Sequence, residues 1–239
     1  MLVLLGLLLG GARAEAACIA ETYEGNDYTV CRFDLRQDHL QLFSLDGNGE
    51  PYGSFAALTV ALQDKGQHLA FAMNAGMYGE DLKPVGLYIE AGRTLHKLNR
   101  RNGPGNFHMK PNGIFFIDGS KAGVMETEAF AASGSRPQFA SQSGPMLVVD
   151  GQIHPRFSPD GTSLQRRNGV GAPDGHTLVF VISEDWVNFH SFARLFKDRL
   201  NCPNALFLDG SISSLHAPEI NRSDAFAPLG PIVALVKGP

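Results

Sequence analysis

The sequence predicts an α+β fold, in which a single domain is built on a large mixed, twisted β-sheet with a few packed helices. The 239 residues include 27 glycines and 14 prolines, which indicates many turns and therefore many strands. Hydrophobic residues make up 44% of the chain and charged residues 18%, so there is ample material for a core. The strand–helix–strand pattern from Thr177 to Leu208 is compatible with one parallel crossover in the sheet.

The strands are predicted from alternating or wholly apolar segments that end at turn residues. Alternation is clearest in the first two segments, and most of the others are short apolar runs typical of buried strands. The predicted strands are Tyr28–Leu35, Leu40–Leu45, Leu69–Met73, Gly86–Glu90, Thr94–Leu98, Ile114–Ile117, Met146–Val149, Thr177–Ile182, Ala205–Leu208 and Ile232–Val236.

Three segments have the spacing of amphipathic helices. The segment Ser54–Lys65 begins at a residue that can cap a helix, and Gly66 follows its end. A short helix is predicted over Met125–Ala132. The segment Phe189–Leu200 places its aromatic and aliphatic side chains on one face, which predicts a helix packed against the sheet.

The N-terminus has the pattern of a secretory signal peptide. Residues 2–10 are almost wholly apolar, and the small residues that follow match an A-x-A cleavage site. The apolar run is too short to span a bilayer, and no other segment predicts stable membrane insertion. We therefore expect a signal peptide over 1–17, one domain over 18–239, and a secreted or periplasmic protein. Cys18 leaves a lipoprotein as the alternative, which Glu15 disfavours because a lipoprotein signal carries leucine there.

The chain has three cysteines, Cys18, Cys31 and Cys202, so three disulfide pairings are possible. We favour Cys18 with Cys31, which would join the mature N-terminus to the first predicted strand in an oxidising compartment. Cys202 would then be a buried thiol.

Several classes of function are disfavoured by composition and by motifs that the sequence lacks. The net charge of −4 argues against a nucleic-acid partner. The sequence contains no G-x-S-x-G, G-x-x-x-x-G-K, G-x-G-x-x-G or H-E-x-x-H motif, and its histidines have no metal-like spacing. An α/β-hydrolase, the common nucleotide folds and a zinc protease are therefore not indicated.

The segment Ala205–His216 carries the strongest candidate site. Its apolar run predicts a buried strand that ends at Asp209 and Gly210, so a carboxylate stands at the end of a rigid element. Ser213 and Ser214 follow, and their hydroxyls can bind a ligand oxygen or the local backbone. The alternative is an ordinary Asp-Gly turn.

A second strand end carries Asn74 and Gly76, where an amide could bind a sugar hydroxyl and a glycine lets a ligand approach the backbone. Glu184, after the strand Thr177–Ile182, could supply a second carboxylate. Each of these residues has a simpler interpretation as part of a turn.

Two basic segments suggest an anionic ligand, and phosphate in particular. Residues 93–110 contain basic but no acidic side chains, and His108 and Lys110 lie in a loop rich in glycine, proline and asparagine. Arg166 and Arg167 precede a sequence read as a glycine-rich turn, where arginine can hold a phosphate through two N–H donors. The alternatives are a basic surface hairpin and a surface arginine pair.

Taken together, these segments resemble the phosphodiester glycosidase family. The family's Asn-Gly-Gly-Phe-Phe-like turn corresponds to Asn74–Tyr78, and its Gly-Pro-Leu-Leu-Val segment to Gly144–Val148. Its Arg-Thr-Ala-Ile-Gly-like turn corresponds to Arg167–Gly171, and its Asp-Gly-Gly-Gly-Ser-Ser turn to Asp209–Ser214. The order agrees over nearly all of the mature chain. Departures at Asn168, in place of threonine, and within the Asp-Gly turn suggest a different sugar pocket.

The resemblance implies hydrolysis of the bond between a sugar's anomeric carbon and a phosphodiester oxygen, on a phosphorylated sugar or glycan. Asp209 is then the expected base or nucleophile and Arg167 the phosphate clamp, with Asn74 completing the catalytic set. The expected substrate-binding residues are Gly76, His108, Lys110, Asn112, Asn168, Glu184, Gly210, Ser213 and Ser214. No cofactor is expected. A non-catalytic protein that binds phosphorylated glycans, and an Asp209 that holds calcium or magnesium, are the alternatives.

Overall fold

The computed structural model describes residues 17–238, in which 17 strands form three antiparallel sheets and three α-helices pack on them. This confirms the α+β class. Residues 1–16 of the predicted signal peptide lie outside the described residues. Within 17–238, no helix is both long enough and apolar enough to cross a membrane.

The first sheet has seven strands and is covered on both faces, which explains why its central strands are almost continuously apolar. In spatial order its strands are β1 Cys18–Tyr23, β2 Asn26–Asp34, β13 Thr177–Ser183, β12 Asn168–Ala172, β14 Asn204–Asp209, β10 Met146–Val149 and β11 Gln152–Ile153.

The second and third sheets have five strands each. The second sheet consists, in spatial order, of β16 Arg222–Ser223, β15 Leu215–Ala217, β4 His68–Asn74, β17 Ile232–Lys237 and β3 Leu40–Phe43. The third consists of β6 Arg93–His96, β5 Tyr88–Glu90, β9 Phe139–Ser143, β7 Gly113–Asp118 and β8 Lys121–Glu126.

The main core fills the space between one face of the first sheet and the other two sheets. Phe33 of β2 and Phe71 of β4 pack with their ring centroids 4.6 Å apart, and Phe180 of β13 lies 5.6 Å from Phe71. Phe115 of β7 adds a contact from the third sheet, 6.0 Å from Phe180. All four rings are buried, so apolar burial holds the three sheets together.

The helices cover the outer faces of the sheets. α1 (Phe55–Gln63) packs on the second sheet, and the Oγ atom of Ser54 accepts the N–H of Ala57 at 3.1 Å, as a helix cap does. α2 (Thr127–Ser133) packs on the third sheet. α3 (Phe189–Arg194) covers the first sheet and continues as a π-helical turn over Leu195–Arg199.

The prediction that a parallel crossover makes the sheet mixed is wrong, although the crossover itself is present. Strands β13 and β14, joined by α3, run in the same direction, but β12 lies between them and pairs antiparallel with both. The sheet is therefore antiparallel throughout instead of mixed. The segment Arg167–Gly171, interpreted as a glycine-rich turn, supplies most of β12. Glycine is needed there for close packing, because a Cβ at Gly169 would lie 2.9 Å from the carbonyl oxygen of Leu206.

The disulfide is found where it was predicted. Cys18 of β1 is bonded to Cys31 of β2, opposite it in the strand register. Cys202 is a free and buried thiol.

Candidate functional site

Two asparagines join the first and second sheets at the candidate site. Asn74 ends β4 and Asn168 begins β12, and both side chains are fully buried. The Nδ2 atom of Asn168 donates to the Oδ1 atom of Asn74 at 2.9 Å and to its backbone carbonyl at 3.1 Å. Burying a side-chain amide costs free energy unless the amide is hydrogen-bonded. The hydrogen bonds between these two asparagines therefore stabilise one specific arrangement of the two sheets.

The same two asparagines hold both ends of the turn that follows β14. The Oδ1 atom of Asn168 accepts the backbone N–H of Asp209 at 2.9 Å. The Oδ1 atom of Asn74 accepts the backbone N–H of Ser214 at 2.9 Å. Within the turn, the hydroxyl of Ser213 donates to the carbonyl of Asp209 at 2.8 Å. The structure therefore brings four predicted polar residues together around the backbone of Asp209, and they are Asn74, Asn168, Ser213 and Ser214.

Asp209 is an isolated carboxylate. Burial raises its pKa from 3.8 to about 6, although backbone N–H groups of Ser211, at 3.0 Å, and Gly210 favour the charged form. Within residues 17–238 no lysine, arginine or histidine forms an ion pair with it. A carboxyl group that titrates close to neutral pH at a strand end is suited to general acid–base chemistry.

An open cleft of about 230 Å³ lies beside Asp209, and its floor is the turn after β14. It is lined by Arg166, Gly210, Ser211, Ile212, Ser213 and Phe226. A larger groove of about 490 Å³ lies between α2 and the β5–β6 hairpin, but none of the predicted site residues lines it, whereas Gly210 and Ser213 line the smaller cleft. The smaller cleft is therefore the better candidate site.

Arg167 is buried and is not among the residues that line the cleft. Its side chain is 1% exposed, with the guanidinium carbon 3.7 Å from the ring centroid of Phe189. The Nε atom donates to the carbonyl of Val187 at 2.9 Å and the Nη2 atom to that of Ser163 at 2.6 Å. Burial without a carboxylate partner lowers the pKa of Arg167 to about 10. Since the Nε and Nη2 atoms already donate to backbone carbonyls, Arg167 could contact a phosphate only through its Nη1 atom. Its role as the phosphate clamp stays a prediction.

Glu184 is placed in an ion-pair cluster beside the cleft. Its carboxylate accepts the hydroxyl of Thr29 at 2.6 Å and pairs with Arg222, which also pairs with Asp224 at 2.9 Å. Its backbone carbonyl accepts the Nε atom of Arg166 at 3.1 Å. These contacts hold the β16 segment against β2 and β13, and a contact of Glu184 with substrate stays a prediction.

The basic loop is held largely by its own backbone. Lys110 donates its ammonium to the carbonyl of Arg100 at 3.0 Å, and the Nδ1 atom of His108 lies 3.0 Å from the carbonyl of Arg101. The buried amide of Asn112 donates to the carbonyl of Phe107 at 2.9 Å. His108, Lys110 and Asn112 do not line the cleft, and their roles in binding stay predictions.

Gly76 is buried where the second and third sheets approach each other. Its φ is +148°, and a Cβ there would lie 2.7 Å from the Oγ atom of Ser141 in β9. Close packing therefore explains why this position is glycine, and its contact with substrate stays a prediction. Ser143, also in β9, donates its hydroxyl to the carbonyl of Leu208 at 2.8 Å, so all three sheets meet next to Asp209.

The described residues give no indication of a metal site, since no group of three His, Cys, Asp or Glu side chains between 17 and 238 is arranged to hold an ion. The structure also identifies site residues that the sequence did not. Phe226 lies in a loop with no recognisable motif, and Arg166, part of the predicted arginine pair, was not chosen as the phosphate clamp.

Comparisons with known proteins agree with this architecture. A family model described as phosphodiester glycosidase matches residues 67–227. The chain is 40% identical over 209 residues to the uncharacterized protein YigE of Escherichia coli (strain K12), which covers 87% of this chain and 80% of that protein.

Two solved structures share the fold. The catalytic domain of zebrafish N-acetylglucosamine-1-phosphodiester alpha-N-acetylglucosaminidase, auto-inhibited by its pro-peptide, aligns with a TM-score of 0.59 at 14% identity, over 91% of this chain and 81% of that one. A hypothetical protein from Synechocystis aligns with a TM-score of 0.57 at 14% identity, over 92% of this chain. The present chain spans 61% of the Synechocystis protein, which is less than two thirds of its length.

Proposed function

The chain belongs to the phosphodiester glycosidase family, and on that premise we propose that it hydrolyses the bond between a sugar's anomeric carbon and a phosphodiester oxygen. The substrate is a phosphorylated sugar or glycan of the cell envelope or extracellular space, and the protein is secreted or periplasmic. The disulfide between Cys18 and Cys31 supports an oxidising compartment.

The position and the raised pKa of Asp209 are the observation that carries the proposal. It ends a buried strand, it adjoins an open cleft, and its pKa of about 6 leaves it mostly ionised at neutral pH but able to accept a proton. A half-buried carboxylate without a cationic partner is unfavourable for stability, so a chemical role explains its presence better than a structural one.

The leaving group sets what the site must supply. An ordinary glycosidase needs a general acid because an alkoxide leaves poorly, whereas a phosphate monoester, with a second pKa of about 6, leaves well. Asp209 as a base takes a proton from water while the water oxygen bonds to the anomeric carbon and the phosphate departs as an anion. Asp209 as a nucleophile bonds to that carbon while the carbon–oxygen bond to the phosphate breaks and the phosphate departs as an anion. Water then hydrolyses the glycosyl ester, which releases the sugar and restores the carboxylate. The configuration of the released sugar distinguishes the two routes.

The surrounding groups act by position and charge. Asn74 and Asn168 hold the Asp209 turn, and Ser213 closes it, as their hydrogen bonds indicate. The proposal keeps Arg167 as a buried source of positive charge next to Arg166, which lines the cleft, and this charge favours a bound anion.

The test is a screen of sugar-1-phosphodiesters in which the released sugar and the phosphate monoester are both quantified. We expect the wild type to release both products from at least one substrate. Asp209→Asn should release them about 10²-fold more slowly or worse, as loss of a general base does. Asp118→Asn, an exposed carboxylate at the end of β7, is the matched control and should keep the wild-type rate.

The alternatives give other results in the same screen. Binding of a sugar phosphodiester without release of either product would identify a binding protein and contradict the proposed hydrolysis. Activity that a chelator abolishes and added calcium or magnesium restores would make Asp209 a metal ligand instead of a base or nucleophile.

A further inference from the structure

Two exposed side chains in the cleft, Arg166 and Phe226, have no part in the mechanism above. Phe226 is 72% exposed, more than any other large hydrophobic side chain between residues 17 and 238. An exposed aromatic ring at the edge of the cleft stabilises a bound ligand that removes it from contact with water.

Arg166 is positioned next to the turn that carries Asp209. Its carbonyl oxygen would lie 3.3 Å from a Cβ at Gly210, so the two backbones are in close contact. Its Nε atom donates to the carbonyl of Glu184 at 3.1 Å. No carboxylate of residues 17–238 pairs with its guanidinium, which leaves the Nη donors of an exposed arginine free inside the cleft.

The loop that carries Phe226 is fixed on both sides of the ring. On one side, Asp224 accepts the backbone N–H of Leu215 at 2.9 Å. On the other, the carbonyl of Pro228 accepts the hydroxyl of Tyr78 at 2.5 Å. The negative charge of Asp209 is one cause of the raised pKa of Tyr78, so this second anchor lies near the carboxylate. A loop whose backbone is held in this way loses little conformational freedom when a ligand binds.

We propose that the cleft binds a glycosyl phosphate in two parts, with Arg166 as the ligand of the phosphate and Phe226 as the apolar surface under the sugar ring. A guanidinium recognises a phosphate through two parallel N–H donors, and the C–H face of a pyranose packs on an aromatic ring. The assignment of this substrate class rests on the proposed function.

The size of the cleft limits what is bound. Its volume of about 230 Å³ is below the roughly 300 Å³ at which pockets begin to enclose a drug-sized ligand. An open cleft of this size has room for about one sugar ring and its phosphate, so we expect the group beyond the phosphate to lie outside it.

The experiment measures binding, so it does not depend on turnover. Wild type, Arg166→Ala and Phe226→Ala are titrated by NMR with glucose 1-phosphate, N-acetylglucosamine 1-phosphate, the two free sugars and inorganic phosphate. Arg166→Ala should weaken binding of a sugar 1-phosphate and of inorganic phosphate about tenfold or more, and leave binding of the free sugar unchanged. Phe226→Ala should weaken the sugar and the sugar 1-phosphate by about tenfold and leave inorganic phosphate unchanged.

Matched controls come from other faces of the molecule. Arg32→Ala removes an exposed arginine of β2, and Leu95→Ala removes an exposed apolar side chain of β6. Both should bind every probe as the wild type does. Thermal melting of all five proteins shows whether each variant is folded, which we expect because all four substituted side chains are exposed.

Each outcome decides a different question. If the wild type binds none of these probes at millimolar concentration, or if Arg166→Ala and Phe226→Ala bind them all as the wild type does, the inference is overturned. If Arg166→Ala weakens binding of phosphate and Phe226→Ala weakens binding of sugar as expected, but the wild type hydrolyses no sugar phosphodiester, the inference holds and the proposed function fails. If the wild type hydrolyses a substrate while both variants keep its KM, the function holds and the inference fails.

Discussion

The side-chain amide of Asn168 donates to both oxygens of Asn74, at 3.1 Å to the backbone carbonyl and at 2.9 Å to the side chain. The two residues are 94 positions apart in the sequence and lie in different sheets. Since each also accepts a backbone N–H from one end of the Asp209 turn, the position of the carboxylate depends on how the two sheets dock.

Removal of either asparagine should therefore lower stability and turnover together. Asn168→Ala and Asn74→Ala each leave buried groups without partners, at a cost of about 1–3 kcal/mol per group. Urea unfolding and kcat are the measurements. Gln142→Ala is the control, because this buried amide accepts the N–H groups of Leu87 and Asn99 at 2.9 Å in the third sheet. It should lose stability but keep kcat, and equal losses of kcat in all three variants would contradict the prediction.

Asp209→Asn should not lower the melting temperature at pH 7.5, and we expect a small increase. Burial raises the pKa of Asp209 above its ordinary value of 3.8, so the folded state binds the proton more tightly than the unfolded state does. The ionised carboxylate therefore costs stability above about pH 6, and this cost disappears as the pH falls to about 4. Melting curves of wild type and variant should accordingly converge at low pH. A variant that melts well below the wild type at pH 7.5 would indicate a structural Asp209.

The pH dependence of catalysis should report the same group. If Asp209 acts in its ionised form, kcat/KM on a sugar phosphodiester rises with pH and levels off above an apparent pKa of about 6. The residual activity of Asp209→Asn should lack this acid limb. An acid limb that persists unchanged in the variant would assign it to another group of the protein.

Arg167→Lys tests the predicted clamp separately from Arg166. A lysine keeps the charge but has no fork of donors for the carbonyls of Val187 and Ser163, so the melting temperature should fall. If Arg167 also touches phosphate, kcat/KM of the folded variant falls markedly. Wild-type kcat/KM in both Arg167→Lys and Arg167→Ala would end the assignment of Arg167 as a phosphate ligand.

The disulfide should contribute stability without affecting the site. It closes a segment between residues 13 apart, for which a loss of about 3 kcal/mol on removal is the usual scale. A Cys18→Ala/Cys31→Ala double variant should unfold at lower urea and keep kcat, because β13 and β12 separate the bridge from β14. Peptide mapping without reduction should find this single bridge, and any bridge to Cys202 would contradict the structure.

The sequence predicted well what depends on local pattern. The buried strands Met146–Val149 and Thr177–Ser183 stand out because they are apolar on both faces, and Ser54 marks the start of α1 as a cap should. Strand β12 was missed because Gly169 and Gly171 are typical of a turn, and only the neighbouring Leu206 and Cys202 show why no larger residue fits. Long-range packing overrides local propensity at this position.

The candidate site was predictable in part for the same reason. Asn74, Asn168 and Asp209 each stand at a strand end, and the structure brings them together. Local sequence cannot show that Arg167 is buried while Arg166 lines the cleft, since this depends on how neighbouring elements pack around each side chain. Phe226 could not be predicted from the sequence, because only the tertiary structure places its loop beside the cleft.

The buried thiol of Cys202 has a consequence for how the protein matures. Its sulfur lies against β12, where a Cβ at Gly171 would come within 2.5 Å, and burial raises its pKa to about 12. Because the thiolate is the species that attacks disulfides, the folded chain has no nucleophile with which to reshuffle its one bridge. A mispaired bridge to Cys202 can therefore arise only before this part of the first sheet has closed. Afterwards the buried Cys202 thiol cannot reach the bridge, so the correct pairing persists. The unpaired third cysteine then does not lead to disulfide exchange, even under oxidising conditions.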